Sequence, residues 1–172
     1  AAITASSIVT QVSCNGGNDG TATLTLSGGT GTLSANWGSA NPNALSAGTH
    51  LFTVSDSNNC LLTDSVTITQ PAAITASFIT TDVDCYGDTT GAATVLFSGG
   101  VTDYLLSWQN FTYLLPNGVN IFTTPVGVPA GIYPFGVTDA NGCTYFDTIT
   151  IFQPAAITAS SIVTQVSCNG GN

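Results

Sequence analysis

Apolar and polar residues alternate with a period of two along most of this chain. Thr21 to Leu26 reads TATLTL, Leu51 to Val54 reads LFTV, and Ser65 to Thr69 reads SVTIT. A period of two sends one set of side chains to each face of a β-strand. The strand-favouring residues Val, Ile and Thr are abundant, whereas the strong helix formers Glu, Lys, Arg and Met are absent. Turn residues break the alternation at Asn15-Gly16-Gly17, Ser27-Gly28-Gly29, Ala47-Gly48, Asp56 to Asn59 and Asn141-Gly142. The last of these is a dipeptide suited to a type I′ hairpin. The pattern predicts an all-β chain of short strands.

The chain also repeats itself. Residues 155–172 (AAITASSIVTQVSCNGGN) are identical to residues 1–18, a period of 154 residues. The phrase AAITAS stands again at Ala72, and Gln-Pro closes each unit, at Gln70-Pro71 and at Gln153-Pro154. This divides the chain into unit one (residues 1–71), unit two (72–154) and a segment, 155–172, expected to form the first strand of the next copy of unit one. Cys14 to Trp37 and Cys85 to Trp108 both span 23 residues, and Gly48 to Cys60 and Gly131 to Cys143 both span 12. The 12 extra residues of unit two therefore lie between Trp108 and Gly131. There, Phe111, Tyr113 and Leu115 alternate before Pro116-Asn117-Gly118, and Val119 and Ile121 alternate after it, which predicts a small hairpin with an apolar face.

The same arithmetic organises the five cysteines. Each unit holds two, which predicts the pairs Cys14 with Cys60 and Cys85 with Cys143. Cys168 repeats Cys14, so its partner is expected further along a longer tandem polypeptide. Oxidised pairs fit an extracellular setting; buried, reduced cysteines are the alternative. Units of this size bury only about 60% of their unfolded surface, and closing loops of this length removes roughly 4 kcal/mol of chain entropy in the idealised model. The order Cys, Trp, Cys within each unit fits a small immunoglobulin-like, Greek-key sandwich. Trp37 and Trp108 are then expected in the two cores rather than as sugar platforms.

Charge narrows the function. The chain has nine Asp, no Lys and no Arg, and a formal net charge of −9. Affinity for nucleic acid or anionic lipid rests on basic side chains, so neither is expected as a partner. No window approaches 18 consecutive apolar residues, so no helical membrane insertion is expected. A nucleophile needs a neighbouring base, and the lone candidate, His50, is replaced by Tyr133 at the equivalent place in unit two. The chain is read as no enzyme, with no catalytic residue and no bound cofactor.

The string CNGGNDGTAT from Cys14, SGG at Ser27, Trp37, AG at Ala47, VSDSNNC ending at Cys60 and VTITQP ending at Pro71 resembles the SprB-type repeat of giant surface adhesins of gliding Bacteroidota. Unit two resembles it through SGG at Ser98, Trp108, PAGIY at Pro129, VTDANGC ending at Cys143 and ITIFQP ending at Pro154. The resemblance implies a cell-surface, filamentous, adhesive or motility-related role, with tandem sandwiches in a filamentous array. Pro134, inside an expected strand, departs from the pattern.

Three further expectations follow. Nine carboxylates without a basic partner invite Ca²⁺, and Asp82, Asp84 and Asp88 around Cys85 are the candidate ligands, whereas Asp139-Ala140-Asn141-Gly142 reads as an ordinary Asx turn. Asp64-Ser65-Val66 and Asp147-Thr148-Ile149 have the form of bacterial O-glycosylation sites, with Asp88-Thr89-Thr90 a looser match and Asn110-Phe111-Thr112 of N-linked form. Covalent glycans are therefore expected at Ser65, Thr148, Thr89 or Asn110; plain exposed strand residues are the alternative. The insertion is expected to dock on a neighbouring copy of the repeat in the filament or, alternatively, to present aromatic rings to a surface polysaccharide. The two resulting readings are a structural shaft and a carbohydrate-binding module.

Overall fold

The computed structural model describes residues 1–116, 118–125 and 127–165. Unit one contains β1 (Thr4–Thr10), β2 (Thr21–Ser27), β3 (Ser34–Asn36), β4 (Gly48–Ser55) and β5 (Leu61–Ile68). Unit two repeats these in order as β6 (Thr75–Thr81), β7 (Ala92–Ser98), β8 (Tyr104–Trp108), β11 (Gly131–Thr138) and β12 (Thr144–Ile151). Its insertion adds β9 (Phe111–Leu115) and β10 (Ile121–Thr123). Among the described residues there is no helix.

Each unit is a sandwich of two antiparallel sheets. In unit one β1 pairs with β2, and β3, β4 and β5 form the second sheet. In unit two the orders are β10-β7-β6 and β12-β11-β8-β9. The two-residue period does what it predicts: Phe52, Val54, Val66 and Ile68 turn into the core of unit one, and Phe135, Val137, Ile149 and Ile151 fill the same places in unit two. The two cores are separate clusters, one per unit.

The insertion differs from the hairpin expected. β9 folds back on β8, with Trp108 opposite Phe111, while β10 crosses to the other sheet and pairs with β7, Phe122 opposite Val95. Alternation fixes which face a side chain takes but not which strand lies beside it, and β7 and β8 both offered free edges. The result closes the core: Phe122 is buried, lies 4.8 Å from Tyr113 and 6.4 Å from Trp108, ring centre to ring centre. Trp108 is 3% exposed. Trp37, whose unit lacks these strands, packs on Phe52 at 5.0 Å but is only half-buried.

Pro134 does lie inside a strand. β11 pairs with β8 only from Phe135 onward, so Pro134 sits beyond the end of that ladder and faces Thr148 of β12. A proline is tolerated where one side needs no N–H donor. Residues 155–165, expected as a first strand, belong to no sheet and leave Ile157, Ile162 and Val163 exposed. Their counterparts in β1 owe their strand to pairing with β2. Cys168 lies outside the described residues.

The Ser-Gly-Gly turns need glycine for a specific reason. Gly28 and Gly99 have φ of +78° and +82°, and a Cβ there would stand 1.8 Å from the Ala2 carbonyl oxygen and 1.9 Å from that of Ala73. The lead-in to each unit lies directly on this turn. It is held there by bonds from the Gly29 and Gly100 amides to the carbonyls of Ala1 and Ala72.

Candidate functional site

The candidate site is the junction between the units. Where each unit ends, the side chain of its closing Gln reaches the loop after the first strand: Gly16 N–H donates to Gln70 Oε1 at 2.7 Å, and Gly87 N–H to Gln153 Oε1 at 2.9 Å. Each unit's first cysteine, Cys14 or Cys85, is thereby fixed at the unit's exit end. The second cysteine stands at the opposite end, immediately before β5 or β12, in a turn organised by one aspartate. Asp56 is buried and its carboxylate accepts from the backbone N–H groups of Thr30, Asn58 and Cys60, each at 2.9 Å. Asp139, also buried, accepts from Val101, Asn141 and Cys143 at 2.8–2.9 Å, confirming the Asx turn. These bonds, the one from Cys60 first, hold the Asp56 carboxyl below its ordinary pKa.

This geometry overturns the expected cysteine pairs. β5 and β12 are eight residues each, so a rise of about 3.4 Å per residue separates the two cysteines of one unit by roughly 25 Å. A disulfide spans Cα atoms less than about 7 Å apart. Instead Cys14 of unit one is bonded to Cys143 of unit two, with Cα atoms 5.5 Å apart. Exit end meets entry end. Asn141 adds a bond from its side-chain amide to the Ser13 carbonyl at 2.9 Å. The seam encloses a crevice of about 390 Å³ lined from unit one's side by Cys14, Asn15 and the linker Ala72-Ala73-Ile74, and from unit two's by the Asp139–Thr144 turn. Among the described residues Cys60 and Cys85 are free and exposed.

The expected calcium ligands are not brought together. Among the described residues no three His, Cys, Asp or Glu side chains converge on a cation position. Asp82 accepts from the Phe152 N–H at 3.0 Å, as Gln11, its counterpart, accepts from Thr69 N–H in unit one. Asp88 accepts from the N–H of Thr89 at 2.7 Å. At Asp84 the two units exchange chemistry: Asp19 accepts from the amide and hydroxyl of Ser13, and the counterpart pair is Asp84 N–H donating to Thr90 Oγ1 at 3.0 Å. The Ser13 bonds, its hydroxyl first, lower the pKa of Asp19. Comparison of the two units, available in the sequence, carried the signal: a ligand position filled by Gln11 in one unit is a backbone-holding position in both.

The glycosylation candidates Ser65, Thr148, Thr89 and Asn110 are all exposed. The three Asp-Ser/Thr pairs share one local geometry, the Asp carboxylate accepting from the next residue's N–H at 2.7–2.8 Å. His50 is no base beside a nucleophile; its Nε2 bonds the Ser46 carbonyl at 2.8 Å, as the Tyr133 hydroxyl bonds that of Pro129 at 2.7 Å.

Both sandwiches thus share one plan down to single hydrogen bonds. The SprB repeat family matches residues 6–34 and 77–120. The chain resembles SprB repeats in both its units. The two matched segments begin at equivalent places in the first strand and run through the cysteine loop and the Ser-Gly-Gly turn, and the second continues through β8 and β9. The SprB repeat is a structural repeat of cell-surface proteins and not an enzyme family. No curated protein matches the chain.

Proposed function

We propose that the chain is part of the shaft of an extracellular surface filament, a tandem of β-sandwich repeats in a gliding-type adhesin whose partners are neighbouring copies of the same repeat. The observation that carries this is the Cys14–Cys143 bond, which joins the exit end of one sandwich to the entry end of the next. A bond at that place ties each sandwich to the next at their facing ends. The recurrence of residues 1–18 at 155–172 supports continuation of the same plan. The carbohydrate-binding alternative has less support, because Tyr113, Phe122 and Trp108 pack on one another and Phe111 is the one aromatic of the insertion that stays largely exposed. Covalent glycans at Ser65, Thr148 and Thr89 are compatible with a shaft, as their hydroxyl-bearing residues face solvent.

Immunogold labelling of intact cells with antibody against the folded chain tests the reading. A shaft gives gold along the length of surface filaments. Label confined to filament tips, or binding of the oxidised chain to a glycan array, would overturn it in favour of the adhesive module.

A further inference from the structure

The seam between the units has a half-built duplicate at the far end of the chain. Cys85, Tyr86, Ala155, Ala156 and Ile157 line a crevice of about 500 Å³. They are, residue for residue, the counterparts of Cys14, Asn15, Ala72, Ala73 and Ile74, which form unit one's wall of the closed seam. Among the described residues the opposite wall is missing. In the closed seam that wall is Gly100, Asp139, Gly142, Cys143 and Thr144; its counterparts are Gly29, Asp56, Asn59, Cys60 and Leu61 of unit one. That surface is complete and unoccupied by any described residue: Cys60 is free and exposed, Asn58, the counterpart of the bridging Asn141, is exposed, and Leu61 is 70% exposed.

We propose that the Cys85 crevice receives the Asp56–Leu61 turn of another copy of this chain and that Cys85 and its Cys60 form a disulfide. The occupant is a second copy because the chain's own Asp56–Leu61 turn matches the missing wall residue for residue. Its turn is already shaped for the task, with Asp56 making the three bonds that Asp139 makes. Asn59 holds a positive φ of 62°, where Gly142 has 83°. The Asn58 amide then reaches the Asp84 carbonyl, as Asn141 reaches Ser13. The two thiols lose two protons and two electrons as the S–S bond forms; an external disulfide such as glutathione disulfide accepts them and becomes two thiols. Each unit is thereby bonded to both neighbours. This rests on the tandem reading above, but a test between purified chains decides it independently of where the chain lies on a cell.

The test uses the full chain with Cys168→Ser, since Cys168 repeats Cys14 and would add a competing thiol. In that background C60S and C85S are each oxidised with glutathione disulfide, alone and as an equimolar mixture. The expected result is a disulfide dimer at least tenfold more abundant in the mixture than in either variant alone. Trypsin has no site here, so Asp-N is used; it isolates the cysteines on residues 1–18, 56–63, 84–87 and 139–146. The dimer is expected to join 56–63 to 84–87, with 1–18 joined to 139–146 in each chain. Equal dimer in mixture and single variants, no dimer at all, or 1–18 joined to 56–63 would overturn the proposal.

Discussion

His50 and Tyr133 stand at the same place on equivalent strands, and each reaches back to the carbonyl oxygen four residues upstream. A carbonyl only accepts, so Nε2 of His50 carries a hydrogen, and the imidazole imitates a phenol. This is the hydrogen bond of a tyrosine corner, made once with each residue type.

His50→Tyr should therefore be tolerated, with a urea midpoint equal to or above that of the parent. Tyr133→Phe should cost about 1 kcal/mol, the usual net worth of such a bond. Equilibrium urea unfolding of both variants checks the pair; a strongly destabilised H50Y would show that the two corners are not equivalent.

Phe122→Ala removes the insertion's plug over Trp108. The substitution should cost about 3–5 kcal/mol, as for other large core aromatics. In a Trp37→Phe background the remaining Trp108 emission should shift to the red, while unit one keeps its stability.

Gly99→Ala places a methyl group where the Ala73 carbonyl oxygen now lies, at a φ of +82°. The turn and the lead-in strand must both move, and a loss of about 1–3 kcal/mol is expected from strain of this kind. Gly142→Ala, at a positive φ but with open space around it, should cost less, and thermal unfolding of the two variants makes the comparison.

Acid should weaken the fold through Asp56 and Asp19, whose folded pKa values are lowered. A lowered folded pKa gives stability that is present above the unfolded value, near 3.9, and lost as the pH falls through the folded one. Protonation of the other carboxylates relieves repulsion in a chain with nine Asp and no Lys or Arg, and works in the opposite sense. The two are separable: Asp56→Asn should be less stable at neutral pH and show a smaller loss between about pH 4 and pH 2 than the parent in urea titrations.

The sandwich was legible because Phe52, Val54, Val66 and Ile68 follow a period of two that has one physical solution. The cysteine connectivity was not. Counting two cysteines per unit is compatible with bonds inside units and with bonds between them, and only the length of β5, set between the Cys60 turn and Gln70, separates the choices. The insertion failed for a related reason: Tyr113 and Leu115 do face the core, but Phe122 is buried where Val119 and Ile121 were expected, and alternation carries no information on whether β9 neighbours β10 or β8. Asp82 misled because a carboxylate suited to calcium is equally suited to a backbone N–H, and Gln11 does the second task without being able to do the first well.

Pulled from its ends, the molecule would carry load through residues 1–14, across the Cys14–Cys143 bond and out along residues 143–154. β1 and β12 lie on that route. The backbone between the cysteines, a separation of 129 residues holding most of both sandwiches, is slack beside it. Either core could melt under tension without lengthening the molecule by its own unravelled chain. Reduction would release that reserve, roughly 440 Å at about 3.4 Å per residue. The thiol chemistry of the surroundings, more than the stability of either sandwich, then sets how far the molecule can stretch.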